Sequence, residues 1–351
     1  MTRYAVIMAG GAGERFWPAS RQSRPKQLLK LTHPEETLLE EAVNRIMPLV
    51  GHNNVLIATG TPLEQPIREA DLLPADAIIV EPDRRNTLGC LCWVAANLMA
   101  RHPDHQVSMA VLTADHKIGH PEAFRQTVDR ALTSAEATGG LLTLGVVPTR
   151  PETGYGYIEM GEGEGVRRVA SFREKPELEL AKEFVASGHF LWNSGMFFWT
   201  LDGFLRELSQ ASPESHAIVL EMAASLSSSK VSEAVEAFSR LPNKSIDFAL
   251  MEKAKEVYTI PADFPWDDVG AWDALERSLE TDLNGSVHQG SVVSVDSRGT
   301  IVVNESPGML VATIGVEDLI VVVTKDDVLI CPKDQAQRVK ELLPLVPESL
   351  K

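Results

Sequence analysis

Residues 4–20 read Tyr-Ala-Val-Ile-Met-Ala-Gly-Gly-Ala-Gly-Glu-Arg-Phe-Trp-Pro-Ala-Ser. The run 4–8 has strand character, and glycines follow it at positions 10, 11 and 13. With no Cβ atoms in the way, such a loop lets backbone N–H groups approach a phosphate chain, although glycines also serve plain turns. Two known nucleotide loops fail here. A P-loop ends in Gly-Lys-Ser/Thr, which is absent, and the dinucleotide fingerprint needs a third glycine where Phe16 stands. What remains is Gly10-Gly11-x-Gly13-x-Arg15, with Lys26 just beyond Pro25. A guanidinium offers a planar fork to two phosphate oxygens and an ammonium a mobile point charge. Together they suit a triphosphate that loses pyrophosphate.

The surrounding charge supports an anion site. The first thirty residues hold six basic side chains (Arg3, Arg15, Arg21, Arg24, Lys26, Lys30) against Glu14 alone, within a chain of 351 residues and net charge −16. A pI near 5.0 argues against nucleic acid or an anionic membrane as the main partner. The composition, 44% apolar and 23% charged, is that of a globular chain. No apolar run reaches the length of a membrane span or a signal-peptide core, so a cytoplasmic location is expected. Three cysteines, Cys90, Cys92 and Cys331, make neither a disulfide framework nor a zinc site.

Working outward, strand-like runs at 4–8, 55–58, 77–80, 107–112 and 141–147 alternate with helical patterns at 38–47, 86–101 and 122–138. That rhythm predicts a Rossmann-like α/β fold, a mostly parallel sheet with helices on both faces, and ligands in such sheets bind beyond the carboxyl ends of the strands. Paired strands at 154–160 and 166–172 with a helix at 177–187 predict an insertion beside the sheet. Helical patterns then recur over 201–209, 214–226, 231–240 and 246–253, before a strand at 257–260. The aromatic run 196–199 reads as core. From residue 284 onward short strands at 292–295, 301–303, 310–314, 319–323 and 328–330, with a closing helix at 335–343, predict a small second β domain. The expected division is 1–282 and 283–351.

The segment Gly10-Gly-Ala-Gly-Glu-Arg-Phe-Trp-Pro-Ala-Ser-Arg21 with Pro25-Lys-Gln-Leu28 resembles the signature of sugar-1-phosphate nucleotidyltransferases, and most closely that of mannose-1-phosphate guanylyltransferases. Further matches follow in order: Glu81-Pro-Asp-Arg-Arg-Asn-Thr87, Thr113-Ala-Asp-His116, Glu152-Thr-Gly-Tyr-Gly-Tyr-Ile158, Phe172-Arg-Glu-Lys-Pro176, Trp192-Asn-Ser-Gly-Met-Phe197, Ser245-Ile-Asp-Phe-Ala-Leu-Met-Glu252 and Trp266-Asp-Asp-Val-Gly270. Departures at Ala19, Thr113 and Ala271 remove no charged group. Long members carry a cupin-type isomerase domain for which 351 residues leave no room, so a short form is expected.

The resemblance implies attack by the phosphate of mannose 1-phosphate on the α-phosphorus of GTP, with the same chemistry on another nucleotide or hexose, or a silent regulatory relative, as alternatives. Nucleophile and leaving group are both anions, so the catalytic task is charge neutralisation and in-line positioning. Arg15, Lys26, Asp115 and Asp267 are the candidate catalytic residues. Asp115 and Asp267 would hold Mg²⁺ or another divalent metal, against a helix cap and a turn as plain alternatives; Asp268 and His116 are set aside as ligands. Gly10, Gly11, Gly13, Glu81, Asn86 and Thr87 are assigned to the nucleotide, with Glu81 accepting from guanine and helix capping an equal role for Asn86 and Thr87. Gly154, Glu174, Lys175, Asn193 and Asp247 are assigned to the sugar phosphate. The resemblance further suggests a left-handed β-helix or β-roll for the C-terminal domain, through which a homodimer is expected.

Overall fold

The computed structural model describes residues 1–350. Four strands, β1 (Thr2–Ala9), β2 (Val55–Gly60), β3 (Ile78–Glu81) and β4 (Val107–Thr113), pair in parallel in the order β3-β2-β1-β4. Their near-continuous apolar runs reflect burial on both faces, and Ala5, Val6 and Ile7 of β1 are fully enclosed. Helices Leu38–Val50 and Pro121–Thr138 cover one face, and Asn86–Arg101 with Leu201–Ala211 and Pro213–Ser227 cover the other. Local chemistry sets the helix ends. Thr37 and Glu40 form a reciprocal capping box at one start, and Gly139, at φ +70°, ends the long helix Pro121–Thr138.

Beyond β4 come β5 (Lys117–Ile118), β6 (Leu141–Val146), β7 (Tyr157–Met160), β8 (Arg167–Arg173), β9 (Phe190–Thr200), β10 (Val257–Pro261) and β11 (Trp266–Asp267). The full order of the main sheet is β3-β2-β1-β4-β9-β6-β10-β8-β7. β9 runs antiparallel between β4 and β6, so the sheet is mixed where a mostly parallel one was expected. The aromatic run 196–199 is indeed core, but it lies within this strand. Phe197 and Trp199 face one helix layer, Met196 and Phe198 the other. The segment expected as a helix at 246–253 narrows to a single π-helical turn, Asp247–Met251. Helix Thr61–Glu69 was not anticipated, because Pro62 and Pro66 mask its pattern.

The C-terminal strands are β12 (Val287–Gln289), β13 (Val292–Val295), β14 (Ile301–Asn304), β15 (Val311–Ile314), β16 (Leu319–Val323) and β17 (Val328–Pro332). β12, β14 and β16 stack in parallel and β17 closes the sheet antiparallel, while β13 and β15 form a second parallel layer. Val302, Val321 and Val323 fill the space with Val292, Val311 and Leu319 packed against them. The coils lie close: a Cβ on Gly290 would stand 2.1 Å from the Asn304 carbonyl oxygen. The expected closing helix is a 3₁₀ segment, Lys333–Leu345, whose two buried residues, Ala336 and Val339, are three apart as that geometry demands.

This domain is not tethered by a loose linker. Val287, Ile301, Ile320, Val322 and Val339 share one core with Phe16, Trp17, Leu29 and Trp272 from the part of the chain that builds the main sheet. Arg21 pairs with Asp327, Arg24 with Glu305 at 2.6 Å, and the Trp17 indole donates to the Leu350 carbonyl at 3.0 Å. The glycine loop therefore rests on the β domain. Among the described residues no helix is long and apolar enough to cross a membrane.

Candidate active site

Glu81 ends β3, Gly10 follows β1, and Asp115 lies two residues past β4, so three of the four parallel strands deliver them to one crevice at their carboxyl ends. Gly10, Gly11, Glu81, Thr87 and Thr113 line a cavity of about 410 Å³ at one end of it. The Gln27 amide pins the loop there, donating to the carbonyls of Gly10 at 2.5 Å and Gly11 at 3.1 Å. Glu81 Oε2, Thr113 Oγ1 and Gln27 Oε1 are buried without a protein partner. Burial pushes the Glu81 carboxyl up to about 7 despite the nearby Arg84 guanidinium. Asn86 accepts from the Thr87 N–H at 2.8 Å, and the Thr87 hydroxyl accepts from the Ile246 N–H at 2.8 Å, tying the helix to that segment; no side-chain cap is made at the helix start, and both residues line the cavity.

At the centre, Gly13 adopts φ +68° and its missing Cβ would sit 2.2 Å from Lys26 Cβ. Only glycine satisfies both demands. Lys26 is 5% exposed, and its ammonium donates to Asp115 Oδ2 at 2.8 Å and to the Asp268 carbonyl at 3.1 Å. Burial alone would raise the Asp115 pKa, but the Lys26 charge and hydrogen bond prevail and hold it below the usual range. His116 is kept neutral by burial and accepts from the Trp266 indole N–H at Nδ1, 3.1 Å away. Among the described residues the Arg15 guanidinium has no side-chain partner, and its Nε is buried and unpaired.

Asp267, expected as a metal ligand, is engaged by the fold, while Asp268, set aside, faces a cavity. β11 pairs antiparallel with β5, Asp267 opposite Lys117, which turns the Asp267 carboxylate inward. There Oδ1 accepts from the Val269 N–H at 2.8 Å and Oδ2 from Arg277 Nε at 2.7 Å. Both oxygens are used, and the plain turn role is what the structure gives Asp267. The next side chain points the other way: Asp268 lines a cavity with Arg15, and its Oδ1 accepts from the Tyr155 hydroxyl at 2.5 Å. Nor does Asp115 cap a helix, since the chain continues into β5.

A third cavity, of about 580 Å³, shares Asn86 and Thr87 with the Glu81 end and is lined by Glu174, Lys175, Lys244 and Asp247. The Asn193 amide donates to Asp247 Oδ1 at 2.8 Å. Burial, reinforced by the Glu174 charge, raises the Asp247 pKa against that hydrogen bond. Lys175, at φ +44°, stands in an exposed turn before Pro176. Gly154 is not in this group: it lines the Arg15–Asp268 cavity. Gly156 lies nearer to Glu174 and Asn193, since a Cβ there would lie 2.6 Å from Glu174 Oε2, and its carbonyl accepts from the Asn193 N–H at 2.8 Å.

Of the six early basic residues, only Arg15 and Lys26 line or reach the crevice. Arg3 pairs with Glu136 and Asp129 on a helix, while Arg21 and Arg24 clamp the β domain. Sequence reasoning missed Gln27 and Tyr155, although both lie inside quoted motifs, and Arg150 and Arg277, for which no motif gave a signal. As donors, Asp115 and Asp268 suit a hard divalent cation. Each is a carboxylate with one oxygen held by the fold and the other, Asp115 Oδ1 or Asp268 Oδ2, without a hydrogen bond from it. No cluster of three or more His, Cys, Asp or Glu able to hold a metal occurs among the described residues. Two carboxylates completed by phosphate oxygens and water fit Mg²⁺ rather than an all-protein cage.

Residues 4–285 match the nucleotidyl transferase family, and residues 290–344 match the MannoseP isomerase/GMP-like beta-helix domain. The mannose-1-phosphate guanylyltransferase of Escherichia coli is 35% identical over 96% of this chain and 74% of its own length. That of Salmonella typhimurium, ManC, is 38% identical over 97% of this chain and 72% of its own. A solved structure described as mannose-1-phosphate geranyltransferase from Thermus thermophilus superposes with a TM-score of 0.88 at 36% identity, covering 98% of this chain and 99% of that one.

Proposed function

The chain belongs to the nucleotidyl transferase family and, within it, to the mannose-1-phosphate guanylyltransferases, and from that premise we propose that it transfers GMP from GTP to mannose 1-phosphate, forming GDP-mannose and pyrophosphate. One observation carries the site assignment. Glu81 Oε2, Thr113 Oγ1 and Arg15 Nε are buried without partners among the described residues, the first two on residues lining the cavity at one end of the glycine loop and the third on a residue lining the cavity at the other. Leaving such groups unmet costs about 1–3 kcal/mol each, which a ligand would relieve.

The Glu81 carboxylate accepts from guanine N1–H and N2–H₂, the donors that adenine lacks. Gly10 and Gly11 meet the nucleoside, Gly13 lets the loop close on Lys26, and Arg15 and Lys26 neutralise phosphate charge. Asn86 and Thr87 stand between nucleotide and sugar. Glu174, Asn193 and Asp247 bind sugar hydroxyls, Gly156 supplies a close backbone wall against Glu174 in place of the contact expected from Gly154, and Lys175 pairs with the sugar phosphate. Asp115 and Asp268 hold Mg²⁺ or another divalent cation, which when bound supplies Lewis-acid stabilisation of the phosphoryl charge. No residue need act as a covalent nucleophile. The task of the chain is to place the attacking oxygen in line with the departing pyrophosphate and to balance their charge.

Pyrophosphate release measured over a panel of nucleoside triphosphates and sugar 1-phosphates, with and without Mg²⁺, tests this reading. Turnover is expected with GTP and mannose 1-phosphate and only with the metal. Preference for another pair would reassign the substrates, and no turnover with any pair would refute the reading.

Assembly as a homodimer through the β domain is part of the same proposal, supported by the exposed Val293, Val295 and Ile314 on β13 and β15. Removing the domain would strip the shared core around Trp17, so light scattering of Ile314→Glu is the cleaner test. A monomer is expected, and an undiminished dimer would count against this interface.

A further inference from the structure

Trp266 touches a neighbour of each carboxylate proposed for the cation. On one side its indole N–H donates to His116 Nδ1 at 3.1 Å, and the two rings meet edge to face with centroids 5.3 Å apart. An indole N–H can only donate, so Nδ1 is the acceptor and, in the neutral ring, Nε2 carries the proton. That Nε2 faces Asp115 Oδ1 at 3.8 Å, the oxygen not held by Lys26. On the other side the Trp266 ring packs edge to face on Tyr155 at 5.6 Å, and the Tyr155 hydroxyl donates to Asp268 Oδ1 at 2.5 Å. Trp192 closes a triangle of rings, 5.2 Å from Tyr155 and 6.4 Å from Trp266. The backbone brings these groups together. Trp266 and Asp267 pair with Ile118 and Lys117, so the segment just before β5, which carries Asp115 and His116, meets the segment just after β11, which carries Asp268.

Resting on the cation assignment above, we propose that Trp266 is a positioning residue, fixing the Asp115 and Asp268 carboxylates relative to each other through His116 on one side and Tyr155 on the other. Without the indole N–H, His116 is free to take its other tautomer and turn the Nε2 lone pair towards Asp115, a repulsive contact where an N–H stood. Without the ring, Tyr155 loses the edge that keeps its hydroxyl on Asp268. Two carboxylates completed by phosphate oxygens and water make an open site. Its affinity therefore depends on how well those two are held, and groups that orient metal ligands from behind are worth about tenfold or more in metal affinity.

Trp266→Phe keeps a ring against Tyr155 and removes only the N–H, whereas Trp266→Leu removes both. The test titrates Mn²⁺ into the full chain with GTP present and mannose 1-phosphate omitted, following the free ion by electron paramagnetic resonance, so that no turnover enters the reading. Binding is expected to weaken about tenfold in Trp266→Phe and further in Trp266→Leu. In steady-state assays the KM for Mg²⁺ should rise in step while kcat at saturating Mg²⁺ stays near wild type. In a His116→Gln background, Trp266→Phe should cost nothing more, because the route it cuts is already cut. Wild-type Mn²⁺ affinity in Trp266→Phe, or losses that simply add in the double variant, would overturn the proposal. Asp268→Asn separates this from the reading beneath it. If Asp268→Asn loses Mn²⁺ and Trp266→Phe does not, only the positioning role falls, whereas wild-type affinity in Asp268→Asn would refute the cation assignment and the proposal with it.

Discussion

At the Asp115 end of the crevice each carboxylate already has a protein partner, whereas at the Glu81 end a buried carboxylate has none. Asp115 is held by Lys26, Asp267 by Arg277 and Asp268 by Tyr155. Glu81 Oε2 is buried and unpaired, and its pKa is driven up to about 7 by that burial. The first arrangement holds Asp115 ionised beside Lys26 and leaves Asp115 and Asp268 ready to exchange a lysine or tyrosine contact for a cation. The second stores an acceptor whose partner must come from the ligand. Under the proposed assignment, charge chemistry and base recognition are thus built in opposite ways at the two ends of the crevice.

Removing charge from the compensated end should have the largest effect. Asp115→Asn is expected to lower turnover at least about a hundredfold, corresponding to the roughly 3 kcal/mol lost when a preorganised electrostatic contact is deleted. Steady-state pyrophosphate release checks it, and a rate near wild type would break the contrast at its stronger side. At the other end Glu81→Gln keeps shape but offers a donor where two donors arrive. Discrimination between GTP and ATP should fall about tenfold with little change in ATP turnover. Unaltered selectivity would remove Glu81 from base recognition.

A smaller effect follows from pH. In the free enzyme Glu81 gains its proton as pH falls through about 7 and ceases to be a full acceptor, so kcat/KM for GTP should decline on that acid side. Glu81→Gln should flatten this limb of the profile. A limb unchanged in the variant would assign it to another group.

The two regions also differ in how far the sequence discloses them. The runs at 55–58, 77–80 and 107–112 bury both faces and are bounded by helices, so the parallel part of the sheet and the position of Glu81, Gly10 and Asp115 at its carboxyl edge are legible. β9 is not, because its aromatic run is buried on both faces and shows no alternation, and its start is broken by Asn193 and Gly195. Residues one or two apart are the harder problem. Adjacent side chains in an extended segment point to opposite sides, so Trp266-Asp-Asp alone cannot say which aspartate faces the crevice. The pairing of β11 with β5 decides, and it turns Asp267 inward. Gly154 and Gly156, two apart, are told apart only by the approach of Glu174 to Gly156. Arg150 and Arg277 reach the crevice through tertiary packing, for which no local pattern exists. The early basic residues show the reverse error: clustered in sequence, Arg3, Arg21 and Arg24 are spent on helix and domain contacts.

The pair Asp267 and Asp268 gives the sharpest comparison, being neighbours in sequence with different neighbours in space. Mg²⁺-dependent pyrophosphate release and the unfolding midpoint, measured side by side for Asp268→Asn and Asp267→Asn, test it most directly. Asp268→Asn should lose about a hundredfold in turnover and keep its midpoint. Asp267→Asn should weaken the Arg277 pair, lose about 2 kcal/mol of stability and retain most of its turnover and metal dependence. The opposite pattern, with turnover lost at Asp267 and stability lost at Asp268, would contradict the site as built here.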